Sequence, residues 1–367
     1  MKVLVTGSNG FIGKNLLVKL TEKSISYNCF TKHQAVSDLP KLLKDVNCVY
    51  HLAGVNRPSD PTEFLKQNYE LTVALCDAIH KSGRLIPVVF SSSIQAESFN
   101  AYGVSKKSAE EVLIQFNSAT QVPIYLYRLP NVFGKWAKPN YNSVVATFCH
   151  QIAQGLPIRI DDPNKILSLL YIDDLLESFL SVLGNPQSGV SRPAVKPEYL
   201  ISLADLASQI ERFRKSRDIL MTEEIGNGLT RALYATYLSY LRPDQFSYEI
   251  PAYQDSRGRF VEMLKTKNSG QFSFFTAHRG VTRGGHYHHT KSEKFLVLQG
   301  SARFGFRNIL TNETFELMVD ALTPKIVETI PGWIHDITNI GDNELIVMLW
   351  ASEAFDRTRP DTIAHTV

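Results

Sequence analysis

One seven-residue run constrains this chain more than any other. Gly7-Ser8-Asn9-Gly10-Phe11-Ile12-Gly13 follows the strand-like stretch Lys2-Val3-Leu4-Val5 and leads into residues 11–20, whose apolar side chains recur at helical spacing. A strand that turns on glycines into a helix leaves bare backbone beside the helix N-terminus, where free N–H groups attract a pyrophosphate. The run predicts a dinucleotide site on the first turn of a parallel α/β sheet, with Gly7, Gly10, Phe11, Ile12 and Gly13 binding the cofactor. Its spacing, G-x-x-G-x-x-G, differs from the commoner G-x-G-x-x-G. The alternative is a glycine turn that only packs helix on strand.

The alternation continues to about residue 148. Strand-like runs at 27–30, 48–52, 86–90 and 124–128 alternate with helical spacing at 64–81 and 102–116, the pattern of helices wrapped round a parallel sheet. Further helical spacing at 143–154, 172–183, 202–214 and 229–241, with 184–197 read as a loop, ends at Arg242-Pro243-Asp244, where proline cannot continue a helix. Beyond it, short β-rich runs at 295–298, 302–306, 314–317 and 345–350 recur between turn residues, the texture of an all-β module. With 367 residues the chain is over twice the usual domain size of roughly 150. The expected fold is an α/β Rossmann-like doubly wound parallel sheet over 1–243, followed by an all-β barrel over 244–367.

Composition excludes several classes. Lys plus Arg is 39 against 36 for Asp plus Glu, a net charge of +3, too balanced for a protein that follows nucleic acid phosphates, so no nucleic acid partner is expected. No apolar run approaches the roughly 18 residues that span a bilayer, and Val3-Leu4-Val5 is too short for the apolar region of a secretory signal. A cytoplasmic location is expected. Cys29, Cys48, Cys76 and Cys149 lie far apart with no C-x-x-C, which points to reduced core thiols rather than a disulfide framework or a thiolate zinc site.

Where an NAD-specific site would usually carry an acid after the second strand, this chain reads Phe30-Thr31-Lys32-His33. A basic Lys32 favours a 2′-phosphate and hence NADPH; its alternative is a solvated surface charge. Farther on, Tyr102 and Lys106 lie four residues apart, on one face of a helix. A phenol of ordinary pKa about 10 gives its proton to a developing alkoxide more readily when a cation stabilises its anion. Among 15 tyrosines the Y-x-x-x-K pattern arises about once by chance. It gains weight from Ser91-Ser92-Ser93 at the C-terminal end of a predicted strand, where ligands sit in open α/β sheets.

Residues 1–243 resemble the extended short-chain dehydrogenase/reductases that act on nucleotide sugars. The likeness rests on Thr6-Gly7-x-x-Gly10-x-x-Gly13, His51-Leu52-Ala53-Gly54, Ser91-Ser92-Ser93, Tyr102-x-x-x-Lys106, Arg128-Leu129-Pro130-Asn131-Val132-Phe133-Gly134 and Tyr171-Ile172-Asp173-Asp174, in the family's order. It implies that Tyr102 is the catalytic acid, that Lys106 lowers its pKa and holds the nicotinamide ribose, and that Ser93, or alternatively Ser92, hydrogen-bonds the reacting oxygen. It further implies that Leu52, Ala53 and Gly54 border the cofactor and that Ser92, Arg128 and Asn131 meet the substrate. Arg128 has a second reading as a buried structural ion pair. The Ser93-to-Tyr102 spacing of nine residues departs from the longer insertion common in the family.

The ten histidines are uneven: His278, His286, His288, His289, His335 and His365 fall in the last third. If His286-Tyr287-His288 is extended, both imidazoles share a face, and Glu293 with a histidine from a later strand completes four ligands. Nitrogen and carboxylate donors suit a divalent Zn, Mn, Fe or Ni, with zinc the first expectation. The runs Gly280-x5-His286-x-His288-x4-Glu293-x6-Gly300 and Pro331-Gly332-x-x-His335-x3-Asn339 resemble the two conserved stretches of the cupin family, a jelly-roll barrel that holds a metal. The resemblance implies the ligand set His286, His288, Glu293 and His335.

Together the halves resemble the bifunctional epimerase/reductases of bacterial capsular polysaccharide synthesis. That resemblance implies a UDP-linked 4-keto-6-deoxy-N-acetylhexose as substrate, epimerised at C3 by the cupin part and reduced at C4 with NADPH by the N-terminal part, in a homodimer or higher homo-oligomer. The metal either polarises an oxygen or holds the barrel together. Tyr287, His278 and Lys294 are the neighbours in sequence that offer a base. Two rival readings make the cupin a binding or dimerising module, or an iron dioxygenase.

Overall fold

In the computed structural model, the described residues are 1–56, 58, 60, 62–184, 186–255, 258–261, 264–266, 270–353, 358 and 360–367. The chain packs as two compact units, Met1–Ser143 with Ile166–Ile201, and Val144–Lys165 with Ser202–Val367.

The first unit is built on six parallel strands ordered Ser26–Phe30, Lys2–Thr6, Cys48–His51, Val88–Ser93, Ile124–Leu129 and Val190–Ser191. The central strands are buried along their length, as the near-continuous apolar runs require of a sheet covered on both faces. Strand order reverses at Lys2–Thr6, which has Ser26–Phe30 on one side and Cys48–His51 on the other, and ligands of such sheets bind outside the strand ends at this reversal. The glycine run and the Leu52-Ala53-Gly54 turn both emerge there. The doubly wound expectation holds, with one addition: the stretch read as a loop at 184–197 contributes the edge strand Val190–Ser191, too short to show a period of two. A second sheet orders Asn131–Phe133, Ile166–Tyr171 and Glu198–Ser202.

Helix Ala101–Thr120 brings Tyr102 and Lys106 to the sheet. Its buried Ala109, Leu113 and Phe116 join Leu4, Val49, Leu75, Val88 and Leu126 in one apolar core. Asn100 caps its start by accepting the Gly103 N–H at 2.8 Å. A Cβ at Gly103 would lie 2.1 Å from the Gln95 carbonyl oxygen, so glycine is what lets the short Ser93-to-Tyr102 connection run against the helix.

The second unit holds two five-stranded sheets. One orders Ser247–Glu249, Lys325–Glu328, Glu293–Gln299, Leu345–Ala351 and Gln271–Ala277; the other orders Thr314–Asp320, Ser301–Asn308, Trp333–Asn339, Thr282–Tyr287 and Ile363–Ala364. The strand pairings described within both sheets are antiparallel, as the all-β barrel expectation requires. Helices Val144–Ala153, Leu203–Ile219 and Gly228–Leu238 belong to this unit too. The change of texture at residue 244 therefore falls inside it. The buried Glu328 explains the attachment: it takes Arg217 and Tyr234 from two of the helices and Lys294 from its own sheet. Among the described residues no helix is long and apolar enough to cross a membrane, and the four cysteines are free, with all but Cys29 buried.

Leu113→Ala empties part of the core under the helix that bears Tyr102. It should cost about 2–5 kcal/mol, seen as a lower melting midpoint of the first unit by about 2–4 °C for each kcal/mol.

Candidate active site and metal centre

The glycine run meets the geometry that its sequence implies. Gly7 has φ +69°, and a Cβ on it would lie 2.6 Å from the Ala53 nitrogen. At Gly13 a Cβ would come within 2.3 Å of the Gly7 carbonyl oxygen. The chain can thus fold back on itself and start helix Phe11–Glu22 at Gly10 with no side chain capping the first N–H groups, the kind of helix terminus at which anions are favoured. Lys32 lies exposed in the turn after the neighbouring strand Ser26–Phe30.

Thr6 ties the opposite wall. Its hydroxyl accepts the N–H groups of Leu52 and Ala53, each at 3.1 Å, and donates to His51 Nδ1 at 2.8 Å. His51 Nε2 then donates to the Thr72 hydroxyl at 2.9 Å. Burial, with the nearby Lys106 charge, pushes the His51 pKa down to about 3, so this imidazole stays neutral and serves as a strut.

Beside that wall stands the Tyr102 group. Burial pushes the phenol pKa up, while the Ser93 hydroxyl opposes the rise by stabilising the anion. Lys106 donates to the Ser91 carbonyl at 2.9 Å and sits 4.9 Å above the Phe90 ring. Its burial lowers the ammonium pKa to about 8, against the Glu110 charge, which raises it. Gly54 makes room for the amine, since a Cβ there would lie 3.1 Å from Lys106 Nζ and 2.7 Å from Asn68 Oδ1. The phenol is thus held protonated, with the lysine one helical turn along; burial and Ser93 set its pKa, and the lowering expected from Lys106 is not seen.

The remaining expectations divide. Ser93 faces the phenol, whereas the buried Ser92 donates to Glu110. Arg128 forks onto the same carboxylate, with Nε 3.0 Å from Oε1 and Nη2 2.7 Å from Oε2, and reaches Glu97 at 2.7 Å. Ser92 and Arg128 are thus joined through Glu110 in an ion-pair network, the second of the two readings of Arg128. Asn131 is exposed and donates to the Ser168 carbonyl at 3.0 Å. Asn68 is the residue that sequence reasoning missed. From the π-helical stretch Leu65–Glu70 it bridges Val55 and the Ser105 hydroxyl, at 2.9–3.1 Å, next to Lys106. Such π-helical turns recur at functional sites, but a lone asparagine in a helical pattern carries no signal of one.

In the second unit, one ligand atom each from His286, His288, Glu293 and His335 lies within 4.8 Å of the others. His286 and His335 are cross-strand partners of one sheet, and Glu293 opens a strand of the other. A bulge at Gly284 and Gly285, with φ +97° and +74°, turns the His286 end of its strand. His288 Nε2 lies 3.2 Å and His335 Nε2 3.4 Å from Glu293 Oε2. Neither nitrogen of the buried His335 has a hydrogen-bond partner, an orphaned state that a metal would relieve. Burial, then the other two imidazoles, pushes the His286 pKa down to about 3, and burial lowers that of His335. The nearby His288 and His335 imidazoles hold the Glu293 carboxyl well below the usual range in spite of burial. Lowered imidazole pKa values at His286 and His335 beside an ionised carboxylate suit the deprotonated donors that a divalent cation needs.

None of the three neighbours considered as bases belongs to this centre's ligand group. His278 is exposed beside Glu344. Lys294 is buried against Glu328 and Tyr248. Tyr287 alternates with His286 along its strand and stacks edge-on with His289. Lys291 does reach the centre, its Nζ 3.2 Å from Glu293 Oε1.

Residues 3–196 match the NAD dependent epimerase/dehydratase family, and residues 253–363 match the polysaccharide biosynthesis C-terminal domain. The chain is 55% identical to the UDP-2-acetamido-2,6-beta-L-arabino-hexul-4-ose reductase of Pseudomonas aeruginosa over 100% of its own length and 99% of that protein's. The crystal structure of the capsular polysaccharide assembling protein CapF from Staphylococcus aureus is 34% identical, covers 100% of both chains and superposes with a TM-score of 0.67. A Thermus thermophilus UDP-glucose 4-epimerase in complex with NAD, 19% identical over 58% of this chain and 83% of its own, shares the fold with a TM-score of 0.51.

His335→Ala and Glu293→Gln each remove one of the four donors. Metal content of the purified protein, measured by plasma mass spectrometry, should fall by about tenfold or more in both; full occupancy in either would remove that residue from the ligand set.

Proposed function

The chain belongs to the NAD dependent epimerase/dehydratase family, and from that premise we propose that it is a bifunctional nucleotide-sugar enzyme of capsular or surface polysaccharide synthesis. In this reading residues 1–243 reduce a C4 ketone with NADPH, and residues 244–367 epimerise C3 of a UDP-4-keto-6-deoxy-N-acetylhexose. The product is of the UDP-2-acetamido-2,6-dideoxy-L-talose type. One observation carries the proposal: the chain bears two chemically distinct centres, a buried protonated tyrosine one helical turn from a lysine and a four-donor cluster of imidazoles and a carboxylate. The names of the Pseudomonas and Staphylococcus relatives support the substrate class and the pathway.

NADPH, when bound, supplies the hydride for C4, and the exposed Lys32 favours its 2′-phosphate. Tyr102 gives its proton to the oxygen as that hydride arrives, Ser93 supports the phenolate, and Lys106 offsets the charge left on it. A divalent metal, with zinc the first choice for His286, His288, Glu293 and His335, supplies Lewis acidity or holds the barrel together. The order of steps follows from the sugar. Its 4-keto group acidifies the C3 proton, and reduction then locks the new configuration, so epimerisation precedes reduction.

The test uses the full chain and the 4-keto sugar nucleotide in D₂O. Without NADPH, deuterium should enter at C3; absence of exchange with reduction intact favours a cupin that only binds or dimerises. Tyr102→Phe should abolish NADPH oxidation and leave the exchange untouched. The pH profile has a defined sign. Lys106 is cationic below about pH 8 and neutral above it, so reduction should decline as pH rises through about 8, and Lys106→Arg, whose charge persists, should lack that decline.

A further inference from the structure

The loop that carries the metal ligands is held by a residue far away in the chain. His288 Nδ1 meets the backbone carbonyl of Asp361. A carbonyl only accepts, so Nδ1 carries a proton and Nε2 is the nitrogen turned to the cluster. The Asp361 carboxylate takes the next three backbone donors in turn: His289 N at 2.9 Å on Oδ1, then Thr290 N at 2.6 Å and Lys291 N at 2.7 Å on Oδ2. The Thr290 hydroxyl adds a fourth bond at 2.9 Å. His289, Thr290 and Lys291 are all buried, so these N–H groups would be orphaned without that carboxylate.

The residues that follow continue the contact. Thr362 accepts from Lys291 Nζ at 3.1 Å, the same amine that lies 3.2 Å from Glu293 Oε1. Ile363–Ala364 pairs antiparallel with Tyr287 and His286, and His365 N donates to the Gly285 carbonyl at 2.8 Å. His286, His288 and Glu293 are thus all braced, directly or through Lys291, by residues 361–365.

We propose that Asp361 is a positioning residue of the metal centre, fixing the His288 tautomer and the 288–291 loop, and that the segment 361–365 is a structural part of that centre. Removing the carboxylate frees the loop and lets the Asp361 carbonyl drift from His288. Outer-shell partners of this kind are worth about 10–100-fold in metal affinity. The inference rests on the metal reading above.

The full-length chain, stripped with a chelator, is titrated with Co²⁺ and, in competition with a chromophoric chelator, with Zn²⁺. Wild type should bind one ion and show visible cobalt bands. Asp361→Ala should bind about 10–100-fold more weakly with displaced bands. Asp361→Asn keeps the shape and one acceptor oxygen but sets an NH₂ group against backbone donors, and should show a loss in the same direction; this isosteric variant decides the matter if the alanine variant does not fold, with far-UV circular dichroism as the check. Wild-type affinity and an unchanged spectrum in the folded variants would overturn the role of Asp361 and leave the metal centre standing. Failure of the wild type to bind either ion would overturn both.

Discussion

A carboxylate taken out of water costs several kcal/mol unless donors surround it, and buried carboxylates organise both units of this chain. Glu110 gathers Ser92 and Arg128 onto helix Ala101–Thr120. Glu328 gathers Lys294, Arg217 and Tyr234, joining two helices to a β-barrel. Glu293 lies among three imidazoles. The first two are closed by protein cations. The third has four donor atoms within 4.8 Å of one another and a single lysine beside them, which is why it reads as a ligand set rather than as an ion pair.

In the first unit, hydrogen-bond partners distinguish supporting groups from those free to meet a ligand. Groups engaged by their neighbours, such as His51 at both ring nitrogens and Ser92 and Arg128 through Glu110, hold strands and helix together. Tyr102 and the bare N-terminus of helix Phe11–Glu22 keep polar capacity to offer a ligand. Glycines make their approach possible: Gly7 and Gly13 let the turn close, Gly54 admits the lysine amine, and Gly103 admits the short connection before Tyr102. Each is a place where a Cβ would meet another part of the chain.

Much of this was legible in the residues. The glycine run, the serine triplet, Tyr102 and Lys106 are local patterns whose spacing maps directly onto a turn, a strand end and a helix face. The strands between them were readable because burial on both faces demands continuous apolar runs. The cluster His286, His288, Glu293 and His335 was half local, the last ligand arriving from a strand more than forty residues on. Val190–Ser191 escaped because two residues carry no period. Asn68, Glu110 and Asp361 escaped because an amide or a carboxylate in ordinary surroundings looks like any solvated side chain until its partners are known.

The sequence by itself determined the order of elements, the two textures of the chain and the chemical identity of the groups at each centre, because these depend on neighbours a few residues apart. Tertiary structure alone decided which serine faces the phenol, whether Arg128 is spent on Glu110, which unit the helices at 144–153, 203–219 and 228–238 join, and that a C-terminal aspartate braces a histidine some seventy residues before it. Those outcomes turn on where buried charges and orphaned N–H groups find partners, and such partners are brought together by folding, from positions whose separation along the chain encodes nothing of their distance in space.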